Sequence, residues 1–267
     1  MSFQTRTFKP ERFDPLALFA RLCPEGPGFL ESPAPSPRTG RYSIVPLRRR
    51  EAYRLDQRGL ARLDEEGETP LPGDPFAVLE QILAERRVPP SENGFAFPGG
   101  FFGFFSYDLA GRIEELPRQA RRDRPVPELW LDWVDLTAIY DHQQQTLTLA
   151  TLDPEYDLAA LESEVRSALA LPLVSQPLPA TPPPQPILSQ QQFEGMVERV
   201  RAYIAAGDIY QANLSCRFDG RFAGDTCDLY ARLRKVNPSP FACLLRAPGL
   251  EIISSSPERL VSLHRGI

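Results

Sequence analysis

Gly207-Asp208-Ile209-Tyr210-Gln211-Ala212-Asn213-Leu214-Ser215 lies where a helical pattern gives way to an alternating one. Upstream, Ser189 with Gln192 makes a capping box, and Phe193, Met196, Val197, Val200, Tyr203 and Ile204 recur at helical spacing. Gly207 is placed as the left-handed residue that ends this helix. Downstream, Asp208 to Phe218 alternates as a strand does, with Tyr210, Ala212 and Leu214 on one face and Gln211, Asn213 and Ser215 on the other. Two readings of that polar face stay open: it meets water, or it lines a pocket whose ligand offers many hydrogen-bonding groups.

Moving outward toward the C-terminus, Asp225 to Val236 reads as a helix, and Asn237-Pro238-Ser239-Pro240-Phe241 makes a constrained entry into the strand Ala242 to Leu245. A second strand, Leu250 to Ser256, runs into Pro257-Glu258-Arg259, so a serine run ending in Pro-Glu-Arg interrupts a hairpin before Leu260 to Leu263. Toward the N-terminus, the proline-rich residues 171–187 read as an exposed, semi-rigid linker. This divides the chain into an N-terminal α+β region (1–170), the linker (171–187) and a second region (188–267).

Within the first region, Asp14-Pro15 and Asp74-Pro75 are N-caps followed by proline at the first helical position. The two helices they start carry one apolar face each, which places them on the outside of a sheet. Residues 157–171 supply a third helix, and Trp130 to Tyr140 with Thr146 to Ala150 a hairpin. His142, in its turn, reads as a surface residue. Phe29-Leu30-Glu31-Ser32 and Arg41 to Val45 read as short strands, with Glu31 and Ser32 simply ending the first. Pro98-Gly99-Gly100-Phe101-Phe102-Gly103 lacks both the Lys-Ser/Thr of a phosphate loop and dinucleotide-binding spacing, so its glycines mark a bulge or a close backbone approach.

Composition narrows the function. A net charge of −5 across 267 residues argues against nucleic acid or an anionic membrane as the main partner. The basic run Arg48-Arg49-Arg50 is flanked by acids and reads as a solvated face. The sequence shows no signal peptide and no apolar run long enough to span a membrane, which points to the cytoplasm. Cys23, Cys216, Cys227 and Cys243 form no C-x-x-C pair and read as buried thiols. With His142 and His264 the only histidines, a histidine-rich metal centre and a Ser-His-Asp triad are disfavoured, leaving acid–base work to carboxylates.

The opening stretch, Asn237-Pro238-Ser239-Pro240-Phe241 and Ser256-Pro257-Glu258-Arg259-Leu260-Val261, in this order and spacing, resemble the chorismate-utilising enzymes, which include component I of anthranilate synthase and of aminodeoxychorismate synthase. Pro98 to Leu109, Glu114-Glu115-Leu116-Pro117 and Tyr140-Asp141-His142 resemble the aminodeoxychorismate branch most. The resemblance implies an α+β fold of two packed antiparallel sheets flanked by helices, incomplete at the C-terminus. It also implies chorismate as substrate, magnesium as cofactor, and a partner glutamine amidotransferase, component II, that supplies ammonia to replace the 4-hydroxyl.

By the same resemblance Glu258 is the general acid. Hydroxide leaves poorly, and a carboxyl kept partly protonated by burial can protonate it as the bond breaks. Ser32, Thr39, Gly40, Arg41 and Tyr42 together with Pro240, Phe241 and Ala242 match a tryptophan-binding pocket, and Gln211 and Asn213 become side chains supporting the chorismate pocket. The family's magnesium ligands are expected beyond residue 267, with no metal site in this chain. The resulting expectation is the N-terminal portion of an aminodeoxychorismate synthase component I, inactive alone. The alternatives are anthranilate synthase component I, or a non-catalytic module that binds tryptophan or docks an amidotransferase.

Overall fold

The computed structural model describes residues 2–33, 39–88, 97–117, 122–261 and 263. The chain forms two compact units, Met1–Ser175 with Leu229–Ile267, and Gln176–Asp228.

The first unit is α+β. Its strands are β1 (Gln4–Phe8), β2 (Gly28–Glu31), β3 (Tyr42–Asp56), β4 (Gly59–Asp64), β5 (Gly67–Leu71), β6 (Gly100–Phe105), β7 (Leu129–Asp141) and β8 (Thr146–Thr151), followed, after β9 (Gln185–Pro186) and β10 (Phe218–Asp219) of the second unit, by β11 (Phe241–Ala247) and β12 (Leu250–Ser256). The helices of the chain are α1 (Pro15–Leu22), α2 (Pro75–Glu85), α3 (Ala110–Ile113), α4 (Leu158–Ala170), α5 (Gln190–Ala206) and α6 (Thr226–Val236). Ten strands join one antiparallel sheet in the order β1-β8-β7-β3-β2-β11-β12, with β4 and β5 continuing from β3 and β6 pairing with β7.

Two long strands organise this sheet because each serves two neighbours along its length. β7 pairs with β6 over Leu129 to Val134 and with β8 over Leu136 to Asp141. β3 meets β2 at Ile44 and β4 over Ala52 to Asp56. The β3–β7 ladder shifts register between Pro46 and Glu51. Pro46 has no N–H to donate, and the irregularity bends the strand between its two sets of partners.

Two glycines permit close approaches. A Cβ on Gly28 would lie 1.9 Å from the Leu244 carbonyl oxygen, and one on Gly103 1.9 Å from that of Trp130, which accounts for glycine at Gly103 within the aromatic run. Tyr53, Leu55, Leu60, Leu79, Leu109, Leu129 and Leu131 form one apolar cluster; Phe102, Val134 and Leu245 form another, with Phe97, Phe104, Cys243 and Ile252 against it. Each such side chain contributes about 1.5–3 kcal/mol when fully buried.

The caps anticipated at Asp14 and Asp74 are in place, each carboxylate accepting an amide of the helix it starts. α2 buries Leu79 alone, whereas Pro15 to Phe19 of α1 are all buried. α1 is therefore enclosed rather than laid on an outer surface, because it packs on α4 as well as on β2 and β3. The Arg48-Arg49-Arg50 run is not simply solvated either. Arg48 and Arg50 grip Asp135 and Asp153, and Arg49 reaches Asp132. All four cysteines are free thiols, but only Cys23 is buried.

In the second unit α5 keeps both of its expected ends, the reciprocal Ser189–Gln192 capping box and Gly207 at φ 83°. None of its residues is buried within the chain. The strand expected from Asp208 to Phe218 is not formed: β10 pairs with β9 at Phe218 and Asp219, and residues 208–217 carry no ladder. Alternation describes which side chains share a face, but a strand exists only where a second backbone accepts its hydrogen bonds. Within 208–217 the Asp208 N–H turns back to the Tyr203 carbonyl and the Arg217 carbonyl accepts from Ile187, and no strand ladder forms. No helix of the described residues is long and apolar enough to cross a membrane.

Candidate functional site

Three segments meet at Ser32: the end of β2, residues 40–43 and residues 240–242. β2 ends at Glu31, and the buried Ser32 that follows donates its hydroxyl toward the Pro240 carbonyl at 2.8 Å, with that of Tyr42 at 3.1 Å. Gly40 closes over the same point. A Cβ there would sit 3.1 Å from Cβ of Ser32 and 3.3 Å from Cβ of Pro240, and its φ of +75° is one that side chains disfavour. Pairing of Ala242 with Glu31 sets β11 in register beside β2. Arg41 lies over the Tyr42 ring and is held by Asp141 at 2.7 Å. Asp141 sits below the usual carboxylate range. Burial pushes it up, but Arg41 and the amides of Gln143 and Gln144 together outweigh that. Ser32, Gly40, Arg41, Tyr42, Pro240, Phe241 and Ala242 thus come together, with Thr39 next to Gly40 and partly exposed.

Glu258 belongs to the turn after β12. Ser256 pairs with Phe241 across the β11–β12 ladder, and its hydroxyl donates to the Glu258 carbonyl at 3.0 Å while receiving the Glu258 N–H at 3.4 Å. The Arg259 guanidinium lies 5.1 Å from the centre of the Phe241 ring. Phe241 therefore touches both groups of candidates, following Pro240 on one side and supporting Arg259 on the other. Glu258 itself is exposed. The burial expected to favour its protonated form is not supplied by the described residues. Gln211 and Asn213 lie in the second unit, on the segment after α5 that forms no strand ladder, and both are exposed.

Two features escaped the sequence. His142 is half-buried rather than a surface turn residue: its Nε2 lies 2.8 Å from Oγ of the fully buried Ser43, and its ring meets Tyr140 edge-on at 5.0 Å. The reason is that β3 starts beside this turn, the Arg41 carbonyl accepting the His142 N–H at 2.9 Å. The Tyr140-Asp141-His142 motif was the available signal. Behind Ser32, Glu31 accepts the phenol of the buried Tyr230 and pairs with Arg234, which also binds both carboxylate oxygens of Asp14, the cap of α1. Tyr230 and Arg234 are one helical turn apart on α6, which brings both to one face.

A separate cleft of about 700 Å³ lies among the β3–β4 turn, residues 122–128 and the β11–β12 turn, and holds none of the residues singled out above. Its arginines are matched by acids, Arg54 by Asp56 and Glu68 and Arg122 by Glu128. Among the described residues no group of three or more His, Cys, Asp or Glu could hold a metal ion. These residues do not fit a resident magnesium, and no step is assigned to one.

Comparison with known proteins gives the family. A family model described as chorismate binding enzyme matches residues 48–267. An anthranilate synthase component I-like protein of Synechocystis is 35% identical over 251 residues, which is 90% of this chain and 48% of that protein. Aminodeoxychorismate synthase component 1 of Escherichia coli is 32% identical over 199 residues, 74% of this chain and 43% of that protein. Among solved structures, anthranilate synthase component I of Streptococcus pneumoniae superposes with a TM-score of 0.66 at 26% identity, covering 85% of this chain and 52% of that one. The chain spans about half the length of these relatives. With the family model spanning residues 48–267, the chain belongs to the chorismate binding enzyme family.

Proposed function

We propose that the protein containing this chain is an aminodeoxychorismate synthase component I, exchanging the 4-hydroxyl of chorismate for ammonia delivered by a glutamine amidotransferase, and that the Ser32–Pro240 convergence is a pocket for tryptophan. The observation that carries the reading is the Phe241 junction, which links that convergence to the turn bearing Glu258. Similarity to aminodeoxychorismate synthases and the Pro98–Leu109, Glu114–Pro117 and Tyr140–His142 motifs support this branch. The chemistry asked of Glu258 is to give its proton to the departing hydroxyl, which leaves as water. The carboxylate then recovers a proton from the amine that has formed. The carboxyl can act in this way once substrate or further protein covers it.

The test is turnover by the full-length protein with chorismate, ammonium and magnesium, the product identified by mass. Formation of 4-amino-4-deoxychorismate, cut by about a hundredfold or more in Glu258→Gln, is expected. Anthranilate as the product would replace this reading with anthranilate synthase component I, which the likeness to the streptococcal and Synechocystis proteins favours. The absence of any chorismate consumption would overturn both. For the pocket, calorimetry with tryptophan should show one site, lost in Ser32→Tyr, whose ring would displace Gly40 and Pro240 from their close packing against residue 32.

A further inference from the structure

His142 and Ser43 have no part in the reading above, yet donor counting ties them to it. Ser43 is fully buried, and its hydroxyl has one proton. It accepts the Ser32 backbone N–H at 3.2 Å and lies 2.8 Å from Nε2 of His142. The Ser43 oxygen has a second lone pair besides the one that takes the Ser32 N–H, but its buried proton also needs an acceptor. Among the described residues Nε2 of His142 is placed to be that acceptor, which is the arrangement of a neutral imidazole with its proton on Nδ1. The ring cannot easily turn away. Its edge meets Tyr140, which stacks on Phe13 with ring centres 4.1 Å apart. A relay thus runs from the β7–β8 turn through β3 to Ser32 and, by the Ser32 hydroxyl, to the Pro240 carbonyl.

We propose that His142 is the positioning residue of this pocket: as an acceptor for Ser43 it holds the Ser32 backbone and hydroxyl in their binding orientation, and releases them when it takes up a proton. This rests on the pocket reading above only for the identity of the ligand. A protonated imidazole presents Nε2–H to Ser43, so the buried hydroxyl proton loses the acceptor that Nε2 supplied. That cost falls on the hydroxyl that anchors the Ser32 N–H, and turning the hydroxyl toward another acceptor loosens the anchor. Among the described residues, the charged and titratable groups around His142 are Asp141, which is committed to Arg41 and to the amides of Gln143 and Gln144, the phenol of Tyr140, and that of Tyr42 beside Asp141. Burial lowers the His142 pKa below 6.5 and outweighs the attraction of Asp141, so the relay is intact at neutral pH.

Two measurements on the 267-residue chain separate the relay from the pocket. Nitrogen-15 NMR of the imidazole should find the proton on Nδ1 in the neutral form, and the Ser32 amide should shift along the His142 titration curve. Calorimetry with L-tryptophan should show binding weaken about five- to tenfold as His142 protonates. His142→Gln, whose side-chain oxygen can still accept from Ser43, should bind as the parent does near neutrality and lose the pH dependence. His142→Ala should bind weakly throughout. A proton on Nε2 in the neutral form, a Ser32 amide that ignores the titration, or an unchanged pH profile in His142→Gln would overturn the proposal. If tryptophan binds at no pH, the pocket reading falls, and the two NMR results alone decide the relay.

Discussion

Arg234→Met removes the cation that two buried carboxylates share, while keeping most of the side chain's apolar stem. In the parent, Arg234 contacts Asp14 at 2.9 Å and Glu31 at 3.0 Å, with side-chain exposures of 18%, 18% and 8% for Arg234, Asp14 and Glu31. Burial raises Glu31 above the usual carboxylate range, against the pull of Arg234 and Tyr230. Asp14 sits below that range, because Arg234 and the amides of Leu16 and Ala17 together outweigh its burial. Without Arg234 both acids lose their main stabiliser, and the expected loss is about 3–5 kcal/mol near neutral pH, the typical cost of orphaning a buried charge.

The sign of the pH dependence follows from the same groups. With the cation gone, both carboxyls gain protons more readily in the folded state, so the deficit shrinks as pH falls and protonation removes the unpaired charge. Urea denaturation of parent and variant near pH 7 and pH 5 measures both effects as a lower midpoint at similar slope. Adding Glu31→Gln and Asp14→Asn should recover much of the loss, since asparagine still caps α1 and neither replacement leaves a charge. A deficit under about 1 kcal/mol, or one equal at both pH values, would refute the view that a shared buried cation joins α1, β2 and α6.

Three further outcomes are expected. Burial pushes Asp132 up to about 6 from 3.8 despite Arg49 and Trp130. The folded state therefore keeps its proton longer than the unfolded one, and stability should fall by about 3 kcal/mol as pH rises from about 4 to 6; Asp132→Asn should flatten this slope in urea titrations. Gly28→Ala, with φ +106° and a backbone oxygen 1.9 Å from the new Cβ, should cost about 3 kcal/mol or more in thermal melts by parting β2 from β11. Gly207→Ala has a similar φ of +83° but nothing within 4 Å of the added atom, so only the conformational cost of about 1 kcal/mol should appear.

What was legible in the sequence was local. Asp14-Pro15, Asp74-Pro75 and the Ser189–Gln192 box announce helices because the cap and the amides it satisfies lie within one turn. The β7–β8 hairpin could be read for the same reason. The stretch after Gly207 misled because its alternation is local while a ladder is not, and the β9–β10 ladder takes up only Phe218 and Asp219. The convergence on Ser32 was legible through resemblance alone. Ser32 and Pro240 are 208 positions apart, and no periodicity connects them.

His142 shows why the remaining part was hidden. A lone histidine in a polar turn is normally solvated, and only the resemblance carried by Tyr140-Asp141-His142 pointed elsewhere. Its environment is set by the β3–β7 register, which pairs Ser43 with Tyr140 and brings residue 43 beside a turn 99 positions later. The same register fixes Arg41 against Asp141, so one ladder positions both the cation beside Tyr42 and the acceptor behind Ser32. A one-residue slip would turn Ser43 to the opposite face and break both contacts at once. The position of the pocket is therefore a property of the strand register, and the side chains around Ser32 refine a geometry that β3 and β7 have already set.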